Sequence, residues 1–409
     1  MDKLLERFLE YVKTDTQSDP ESVTFPSTKE KQFPFLKSLY DELRSMGLSD
    51  VKMDEYGYVT GRIPAVGNVS GVKLGFLAHI DTSSAVSGSG VDPRIVKNYD
   101  GKVIKLNENS ELDPAVYPYL KDCEGCDLIV TDGKTLLGAD DKAGVAEIME
   151  LAEYYMTHKD VPHCEIRIAF TPDEEVGRGM DYFDAEAFGA DFAYTVDGGP
   201  IGELEFENFN AASMKVKVNG ASIHPGSAKG LMKNALEILM EFHSLLPAFD
   251  KPQYTEKYEG FYHLDNMRGS VQEATAEYII RDHDSGKFMD KKDFALKAAR
   301  FINEKYGQNT LEIIISDSYV NMREIIEKHM HLVENASAAM KELGIEPIIV
   351  PIRGGTDGAR LSYMGIPCPN LCTGGYNCHG CHEFIPYDSM KKIVELLKKI
   401  VEKYSDFKK

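Results

Sequence analysis

Long apolar stretches are missing from this sequence of 409 residues. No segment approaches the roughly 18 apolar residues that a membrane-spanning helix needs. The first residues, Met1 to Phe8, have the pattern of an amphipathic helix and lack the apolar core of a signal peptide. These absences argue against an integral membrane protein and against secretion, and we expect a cytoplasmic protein.

Basic residues are also scarce relative to acidic ones. The chain has 46 Lys and Arg against 66 Asp and Glu, which gives a formal net charge of -20. Proteins that bind nucleic acid or anionic membranes without sequence specificity need clustered Lys and Arg to displace counterions. We therefore expect neither nucleic acid nor a membrane among the partners.

The seven cysteines do not suggest a disulfide framework, because their number is odd and the chain is long. Reduced thiols in the cytoplasm are the simpler interpretation. Cys123 and Cys126 form one CxxC pair, and Cys378 and Cys381 form another that flanks His379. The two pairs are too distant in sequence for a zinc ribbon. Competition of the second pair for metal, or its oxidation to a disulfide, remains open.

What the sequence does contain is enough apolar material for a sizeable core. It is 43% hydrophobic and 27% charged, as in globular proteins. The length favours two domains, although a single large α/β domain is possible. Up to residue 208, near-continuous apolar runs at Leu74 to Ile80, Glu165 to Thr171 and Phe192 to Val196 alternate with helical patterns. This alternation predicts an α/β fold with a mostly parallel sheet.

The pattern changes near residue 210, where Met214, Val216 and Val218 alternate with polar residues, as in a strand with one wet face. The elements that follow have the βαββαβ order of a ferredoxin-like domain. They are strand 213–219, helix 230–246, strands 257–264 and 274–283, helix 290–306 and strand 310–317. We therefore predict two domains: residues 1–208 with 321–409, and an inserted α+β domain of residues 209–320.

Beyond these elements we predict a strand from Glu346 to Ile352 and a closing helix from Tyr387 to Tyr404. The segment 83–128 is rich in Ser, Gly, Asp and Asn, and we expect it to be a long surface excursion.

Five short motifs of acidic residues and histidines fall where the α/β pattern places strand ends. In an open α/β sheet, ligands bind beyond the carboxyl ends of the strands. Acidic residues clustered there need neutralisation, which a divalent metal provides. Imidazole and carboxylate ligands without thiolate suit zinc, cobalt or manganese. The motifs are His79-Ile80-Asp81, Asp140-Asp141-Lys142, Glu174-Glu175, Asp197-Gly198-Gly199 and His379-Gly380-Cys381-His382-Glu383.

Each motif alone has a plainer explanation. Asp140-Asp141 could cap a helix N-terminus, and Glu174-Glu175 could be a solvated turn. His79 and Asp81 are two apart on a strand, so both side chains leave the same face, and Asp81 can orient a metal-bound His79. The joint occurrence of the motifs favours a metal site.

The longer stretches around these motifs, in this order, resemble the M20 family of co-catalytic zinc peptidases, and the resemblance spans nearly the whole chain. They are Leu77–Thr82, Leu137–Gly144, Asp173–Gly177, Thr195–Gly199 and Tyr376–Phe384. Two further stretches, Gly220–Ala228 and Pro351–Ala359, resemble the tripeptide aminopeptidases of that family.

The resemblance implies two zinc ions per subunit, with cobalt or manganese as possible substitutes. His79 and Asp197 would hold one ion, Glu175 and His379 the other, and Asp140 would bridge both. A shared carboxylate suits two cations that lie close together. The resemblance also implies a cis peptide bond between Asp140 and Asp141.

Two other residues of the motifs would then serve the reaction without bridging the metals. Glu174 would be the general base, and Asp81 would orient His79. Glu174 binds no metal in this scheme, so its presence speaks against a non-catalytic relative.

Substrate contacts are implied at four further positions. His224 would stabilise the oxyanion from the partner subunit of a homodimer, although a histidine capping the turn at Pro225 is the alternative. Arg281 and Arg353 would hold the peptide carboxylate, which suits a bidentate guanidinium. Asn377 would contact the backbone or amine of the peptide.

We thus expect an aminopeptidase that releases the N-terminal residue from tripeptides. Residues 1–208 and 321–409 would form the catalytic domain, and residues 209–320 a lid that also dimerises. The alternatives are another M20 activity, namely a dipeptidase, a carboxypeptidase or an N-acyl amino acid deacylase, or a non-catalytic peptide-binding relative.

Overall fold

The structure is a computed structural model, in which residues 2–407 are described. In this range no helix is both long enough and apolar enough to cross a membrane. The helices are α1 Lys3–Tyr11, α2 Lys29–Met46, α3 Ala139–Thr157, α4 Ala185–Phe188, α5 Ala235–Leu245, α6 Ser285–Tyr306, α7 Arg323–Ile326, α8 His331–Glu342, α9 Asp357–Tyr363 and α10 Tyr387–Ser405.

The strands divide among four sheets. They are β1 Ser49–Met53, β2 Val59–Ile63, β3 Lys73–His79, β4 Arg94–Val96, β5 Ile104–Lys105, β6 Glu111–Leu112, β7 Leu128–Val130, β8 Glu165–Thr171, β9 Phe192–Gly198, β10 Glu203–Glu205, β11 Asn210–Asn219, β12 Phe261–Gly269, β13 Glu273–Asp282, β14 Leu311–Tyr319, β15 Ile348–Ile349, β16 Asn370–Cys372 and β17 Phe384–Pro386.

The largest sheet has eight strands in the order β1-β2-β8-β3-β9-β16-β10-β15. Its central strands β8, β3, β9 and β16 are parallel, whereas β1 and β2 extend one edge in antiparallel pairs. The central strands are buried almost throughout, as their apolar runs predicted. The α/β prediction is therefore confirmed.

Helix α3 packs directly against the central strands β3 and β9. Close approach depends on Gly144, because a Cβ atom there would lie 1.9 Å from the carbonyl oxygen of Val196 in β9. No side chain can replace this glycine without moving the helix or the strand. The contact brings the first residues of α3 to the end of the sheet.

The second compact unit comprises Glu207–Arg323 and Pro351–Gly355. Its antiparallel sheet has the order β12-β13-β11-β14, and α5 and α6 pack on it. In β11, Val216 pairs with Ala276 of β13 and Ile313 of β14. The apolar face of β11 joins the core of this unit, where Met214, Val216 and Val218 are buried. This is the ferredoxin-like arrangement that the βαββαβ order predicted.

The first unit comprises Met1–Phe206, Glu324–Val350 and Thr356–Lys409. Sequence boundaries placed all of 321–409 in the first domain, whereas Pro351–Gly355 groups with the second unit. The reason is local pairing, since the Ile352 amide donates to the Glu207 carbonyl at 2.9 Å and Ile352 bridges Asn208. The predicted strand from Glu346 to Ile352 is correspondingly short, and only Ile348–Ile349 pairs with β10.

The segment 83–128 is not a bare surface excursion, and that prediction is wrong. It forms the β5-β6 hairpin and contributes β4 to a small sheet with β7 and β17. Although the segment is mostly polar, it contains widely spaced apolar residues that pack together in a small separate core. That core comprises Tyr99, Ile104, Leu106, Leu112, Leu120, Cys123, Leu128, Val130 and Phe384.

Helix α1 is fixed to α2 and α3 by one guanidinium. Arg7 donates to Glu42 at 2.7 Å, to Glu150 at 2.6 Å and also to Glu153. Its side chain is only 11% exposed, so the ion pairs are shielded from water. Charge-assisted hydrogen bonds of this kind are the strong ones.

We predict that Arg7→Ala lowers the free energy of unfolding by about 3 kcal/mol, because Glu42 and Glu150 lose the Arg7 cation and Glu153 keeps only the exposed Lys3. The control is Lys37→Ala, since the Lys37–Asp41 pair on α2 is more than half exposed at both ends, and its loss should cost about 0.5 kcal/mol. Urea unfolding followed by circular dichroism measures both. Equal losses for the two variants would contradict the assigned role.

Candidate metal centre

Three adjacent parallel strands bring the acidic motifs to one edge of the large sheet. His79 is the last residue of β3, Asp197 lies near the end of β9, and Glu174 and Glu175 follow β8. Asp140 lies at the beginning of α3, and His379 lies in the loop before β17. The structure thus brings the five predicted ligands and Glu174 together at the carboxyl ends of the strands.

The carboxylate of Asp140 is shared between two imidazoles. Its Oδ1 lies 3.0 Å from Nε2 of His79, and its Oδ2 lies 3.0 Å from Nε2 of His379. A second carboxylate faces each ring, with Asp197 at 3.3 Å from His79 and Glu175 at 3.1 Å from His379. The peptide bond between Asp140 and Asp141 is cis, as the resemblance implied.

The protonation of this cluster reflects burial opposed by charge. Burial raises the pKa of Asp140, but hydrogen bonds with His379 and His79 outweigh it and hold that pKa below its usual range. Hydrogen bonds to Asp140 and Glu175 raise the pKa of His379 to about 11. Burial and the Asp140 charge raise the pKa of Glu175 to about 7. The acids therefore gain strongly from positive charge placed among them.

The donor set fits a divalent metal. The ligand atoms of His79, Asp140 and Glu175 all lie within 4.8 Å of one another, and so do those of His79, Asp141 and Asp197. Glu175 Oε1 is buried and has no hydrogen-bond partner among residues 2–407, so it is available to a cation. Imidazole nitrogens and carboxylate oxygens are ligands for zinc or manganese.

Asp141 was not assigned as a ligand by the sequence, although its carboxylate lies in the second of these groups. Its two oxygens accept hydrogen bonds from the backbone amides of His79 and Gly144, each at 3.2 Å. Both oxygens are therefore held by the end of β3 and the beginning of α3. Asp141 fixes these two elements to each other directly beside Asp140.

The Asp81 carboxylate contacts more than the imidazole of His79. Its Oδ1 is 3.4 Å from Nδ1 of His79, but the Asp81 backbone carbonyl is nearer, at 3.0 Å. The carboxylate also accepts hydrogen bonds from the backbone amides of Glu174 at 3.0 Å and Glu175 at 3.2 Å. Asp81 thus ties the turn after β8 to the end of β3.

Glu383 is a supporting residue that sequence reasoning missed, although it ends the last motif. It is buried, and its carboxylate accepts from the backbone amides of Leu137 at 2.7 Å, Gly138 at 2.8 Å and Asp140 at 3.1 Å. It therefore fixes the chain that carries Asp140. A glutamate following a histidine motif was the available signal, but only the fold shows which amides it accepts from.

Three of the predicted substrate residues lie in the second unit. His224 is exposed, and its Nδ1 accepts from the Gly226 amide at 3.1 Å. Arg281 donates to the carbonyl of Arg353 at 3.0 Å, and Arg353 donates to Thr255 Oγ1 at 3.3 Å. The two arginines are therefore direct neighbours, although 72 positions separate them in sequence.

The side-chain amide of Asn377 forms hydrogen bonds within and beside the loop that carries His379. Its amide nitrogen donates to the carbonyl of His382 at 3.0 Å, and its amide oxygen accepts from the Tyr119 hydroxyl. His379 has a φ of 64°, in the left-handed region that side chains rarely adopt. Asn377 therefore stabilises an uncommon backbone, and its predicted contact with substrate stays a prediction.

The cysteines form no metal group within residues 2–407 that meets the ligand spacing of the acidic cluster. All seven are free. Cys123 belongs to the small core that includes Leu128 and Val130 of β7, and the partly buried Cys126 packs against it, whereas Cys378 is exposed beside His379. A four-thiolate site thus gains no support from the described residues.

Comparison with known proteins agrees with this geometry. The model of peptidase family M20/M25/M40 matches residues 130–403. A peptidase T of Caldanaerobacter subterraneus subsp. tengcongensis is 53% identical over 406 residues, covering 99% of each chain. The structures of an aminopeptidase PepT from Bacillus cereus and a tripeptidase from Staphylococcus aureus each superimpose with a TM-score of 0.79 at 23% identity. They cover 99% and 98% of this chain and 98% of their own chains.

We predict that the purified protein, loaded with Zn²⁺ and dialysed, retains about two ions per chain. Asp140→Ala should retain neither ion, because one carboxylate faces both imidazoles. Asp41→Ala, which removes an exposed carboxylate on α2, is the matched control and should retain both. Elemental analysis measures the content, and an Asp140→Ala protein that keeps both ions would contradict the shared role.

Proposed function

The chain belongs to peptidase family M20/M25/M40, and we propose that it is a zinc-dependent aminopeptidase that releases the N-terminal residue of tripeptides. The observation that carries the proposal is the Asp140 carboxylate between the imidazoles of His79 and His379, with a further carboxylate facing each ring. Full-length identity of 53% to a peptidase T supports the substrate class.

The proposed ligands are His79 and Asp197 for one ion and Glu175 and His379 for the other, with Asp140 common to both. Such a pair of ions polarises the scissile carbonyl and makes water more acidic when bound. The backbone of two of these residues is held by neighbouring carboxylates, because Glu383 accepts from the Asp140 amide and Asp81 accepts from the Glu175 amide.

Glu174 is the proposed proton carrier. Burial, followed by the charge of Asp197, raises its pKa well above the usual range. It therefore holds a proton more readily than a solvated glutamate does. A glutamate in this position takes a proton from the attacking water and gives it to the nitrogen of the leaving amine. Asp81 fixes the Glu174 amide, and so limits where the side chain can reach.

His224 is the proposed donor to the oxyanion, supplied by a partner subunit of a homodimer. Because its Nδ1 accepts a hydrogen bond from the Gly226 amide, the neutral ring carries its proton on Nε2. That atom is then a donor, as oxyanion stabilisation requires. The second unit would act as the lid and the dimerisation domain.

Arg281 and Arg353 are proposed to bind the peptide carboxylate. Neither guanidinium is paired with a carboxylate among the residues that the structure describes; their hydrogen bonds go to carbonyl oxygens and a hydroxyl. Their positive charge therefore remains for an anion. A fixed carboxylate site measures peptide length, which favours tripeptides over long chains.

The remaining expectations stay proposals. Asn377 would contact the peptide amine or backbone, and the protein would work in the cytoplasm on short peptides, without nucleic acid or membrane partners. Cobalt or manganese would replace zinc in the same ligand set. Dipeptidase, carboxypeptidase or deacylase activity remains the alternative to be separated by substrate.

We predict that Glu174→Gln lowers kcat by about 10³-fold or more while zinc content stays at that of the wild type, because an amide cannot carry the proton. Stopped-time assays with Leu-Gly-Gly and elemental analysis of the same sample provide the two readouts. A variant that turns over at a near-normal rate, or that loses zinc, would show that Glu174 has another role.

We predict that Leu-Gly-Gly is cleaved to Leu and Gly-Gly. The N-acetylated peptide should be a poor substrate, and amidation of the C-terminus should lower kcat/KM by about tenfold or more, because it removes the charge that the arginines bind. Arg353→Ala should reduce the difference between the acid and the amide without abolishing it, because Arg281 remains to bind the carboxylate. Chromatography of the products identifies the bond cleaved, and release of Gly from the C-terminus would leave a carboxypeptidase.

A further inference from the structure

Asp173, the residue that precedes the proposed proton carrier Glu174 in sequence, has a buried carboxylate that is bonded to the N-terminal part of the chain. Asp173 is fully buried and has a φ of 59°, in the left-handed region. Its Oδ2 accepts from the Ser27 amide at 2.6 Å, and its Oδ1 accepts from Ser27 Oγ at 2.6 Å and from Gln32 Nε2 at 2.7 Å. The hydrogen bonds that its carboxylate accepts from residues 2–407 thus come from a segment about 145 positions earlier in the chain.

The orientation of the Gln32 amide is set by its surroundings. Its Nε2 also donates to Thr28 Oγ1 at 3.1 Å, and Gln32 is fully buried. Turning the amide would place its oxygen against the Asp173 carboxylate, and the repulsion excludes that arrangement. Two side chains, Ser27 and Gln32, therefore supply directed donors to one acid.

The same N-terminal segment also contacts the strand end that carries His79 and Asp81. Thr16 Oγ1 donates to the Ile80 carbonyl at 2.7 Å, and the Ser18 amide donates to the Thr82 carbonyl at 3.1 Å. Residues 16–32 are therefore bonded both to the end of β3 and to the turn after β8.

The turn after β8 is consequently held from two sides. On one side Asp81 accepts the amides of Glu174 and Glu175. On the other, Asp173 is held by the N-terminal segment, and its carbonyl accepts from the Arg178 amide at 2.9 Å. A residue in the left-handed region persists only where its surroundings impose it. The direction of the Glu174 side chain depends on that backbone.

We propose that Ser27 and Gln32 are positioning residues for catalysis, which act through Asp173 to fix the backbone of Glu174 and touch neither metal nor substrate. The proposal rests on the proposed function only in assigning Glu174 the proton transfer. Outer partners of a catalytic group typically change activity by about 10–100-fold when they are lost. Small displacements of a reacting group have effects of this size.

The test compares Ser27→Ala and Gln32→Met, which remove one donor each at nearly constant volume, in full-length zinc-loaded enzyme assayed with Leu-Gly-Gly. We expect kcat to fall by about 10–100-fold, with KM changed less than about twofold and zinc content unchanged. Arg7→Ala is the matched control, since it weakens the fold away from the site and should leave kcat unchanged. Loss of stability alone would lower kcat in all three variants.

Coupling provides the second measurement. Because both donors act through one carboxylate, adding Gln32→Met to Asp173→Asn should lower kcat little beyond Asp173→Asn alone. Additive losses, or an unchanged kcat in both single variants while Glu174→Gln is inactive, would overturn the positioning role. Normal turnover by Glu174→Gln would instead reject the proposed function, so the two failures are distinct. If Gln32→Met does not fold, Ser27→Ala and Asp173→Asn decide the question.

Discussion

One carboxylate lies between two imidazoles at the end of the sheet, and the surrounding structure holds it there. Asp140 can face both His79 and His379 only if α3 begins at the edge where β3 and β9 end. The absence of a side chain at Gly144 allows that approach, and Asp141 bonds the helix to β3. Packing of the helix against the sheet and the geometry of the centre are thus one constraint.

The buried acids around this centre fall into two kinds. Asp81, Asp173 and Glu383 accept hydrogen bonds from backbone amides or neutral side-chain donors, which offset part of the cost of burying a carboxylate. Both Asp140 oxygens lie 3.0 Å from an imidazole nitrogen, and Glu175 has one oxygen at 3.1 Å from His379 and one with no partner among the described residues. Carboxylates of the first kind hold the surrounding backbone in place. Those of the second kind are stabilised by positive charge placed beside them. This division explains why a dense acidic cluster can remain ordered while its inner members stay available as ligands.

Much of the fold was predictable because buried strands and helices show a regular pattern of apolar residues in the sequence. The strand from Glu165 to Thr171 matches its predicted bounds, and the βαββαβ order gave the second sheet. The segment 83–128 was misread because a small core needs only a few apolar residues, spaced too widely to show a period. The pairing of Ile352 with Glu207 is set by distant contacts and leaves no local pattern.

For the site, the candidate ligands could be predicted, but the residues that hold them in place could not. The motifs placed acidic residues and histidines at strand ends, and the family resemblance then implied Asp140 and the four residues His79, Glu175, Asp197 and His379 that the structure brings close to it. The hydrogen-bond partners that hold the site in place could not be predicted in this way. Ser27 and Gln32 are ordinary residues at the beginning of a helix, and nothing in their spacing points to Asp173. The donors to a buried carboxylate come from whichever segment the fold places beside it. The residues that hold the ligands in place can therefore be identified only from the structure.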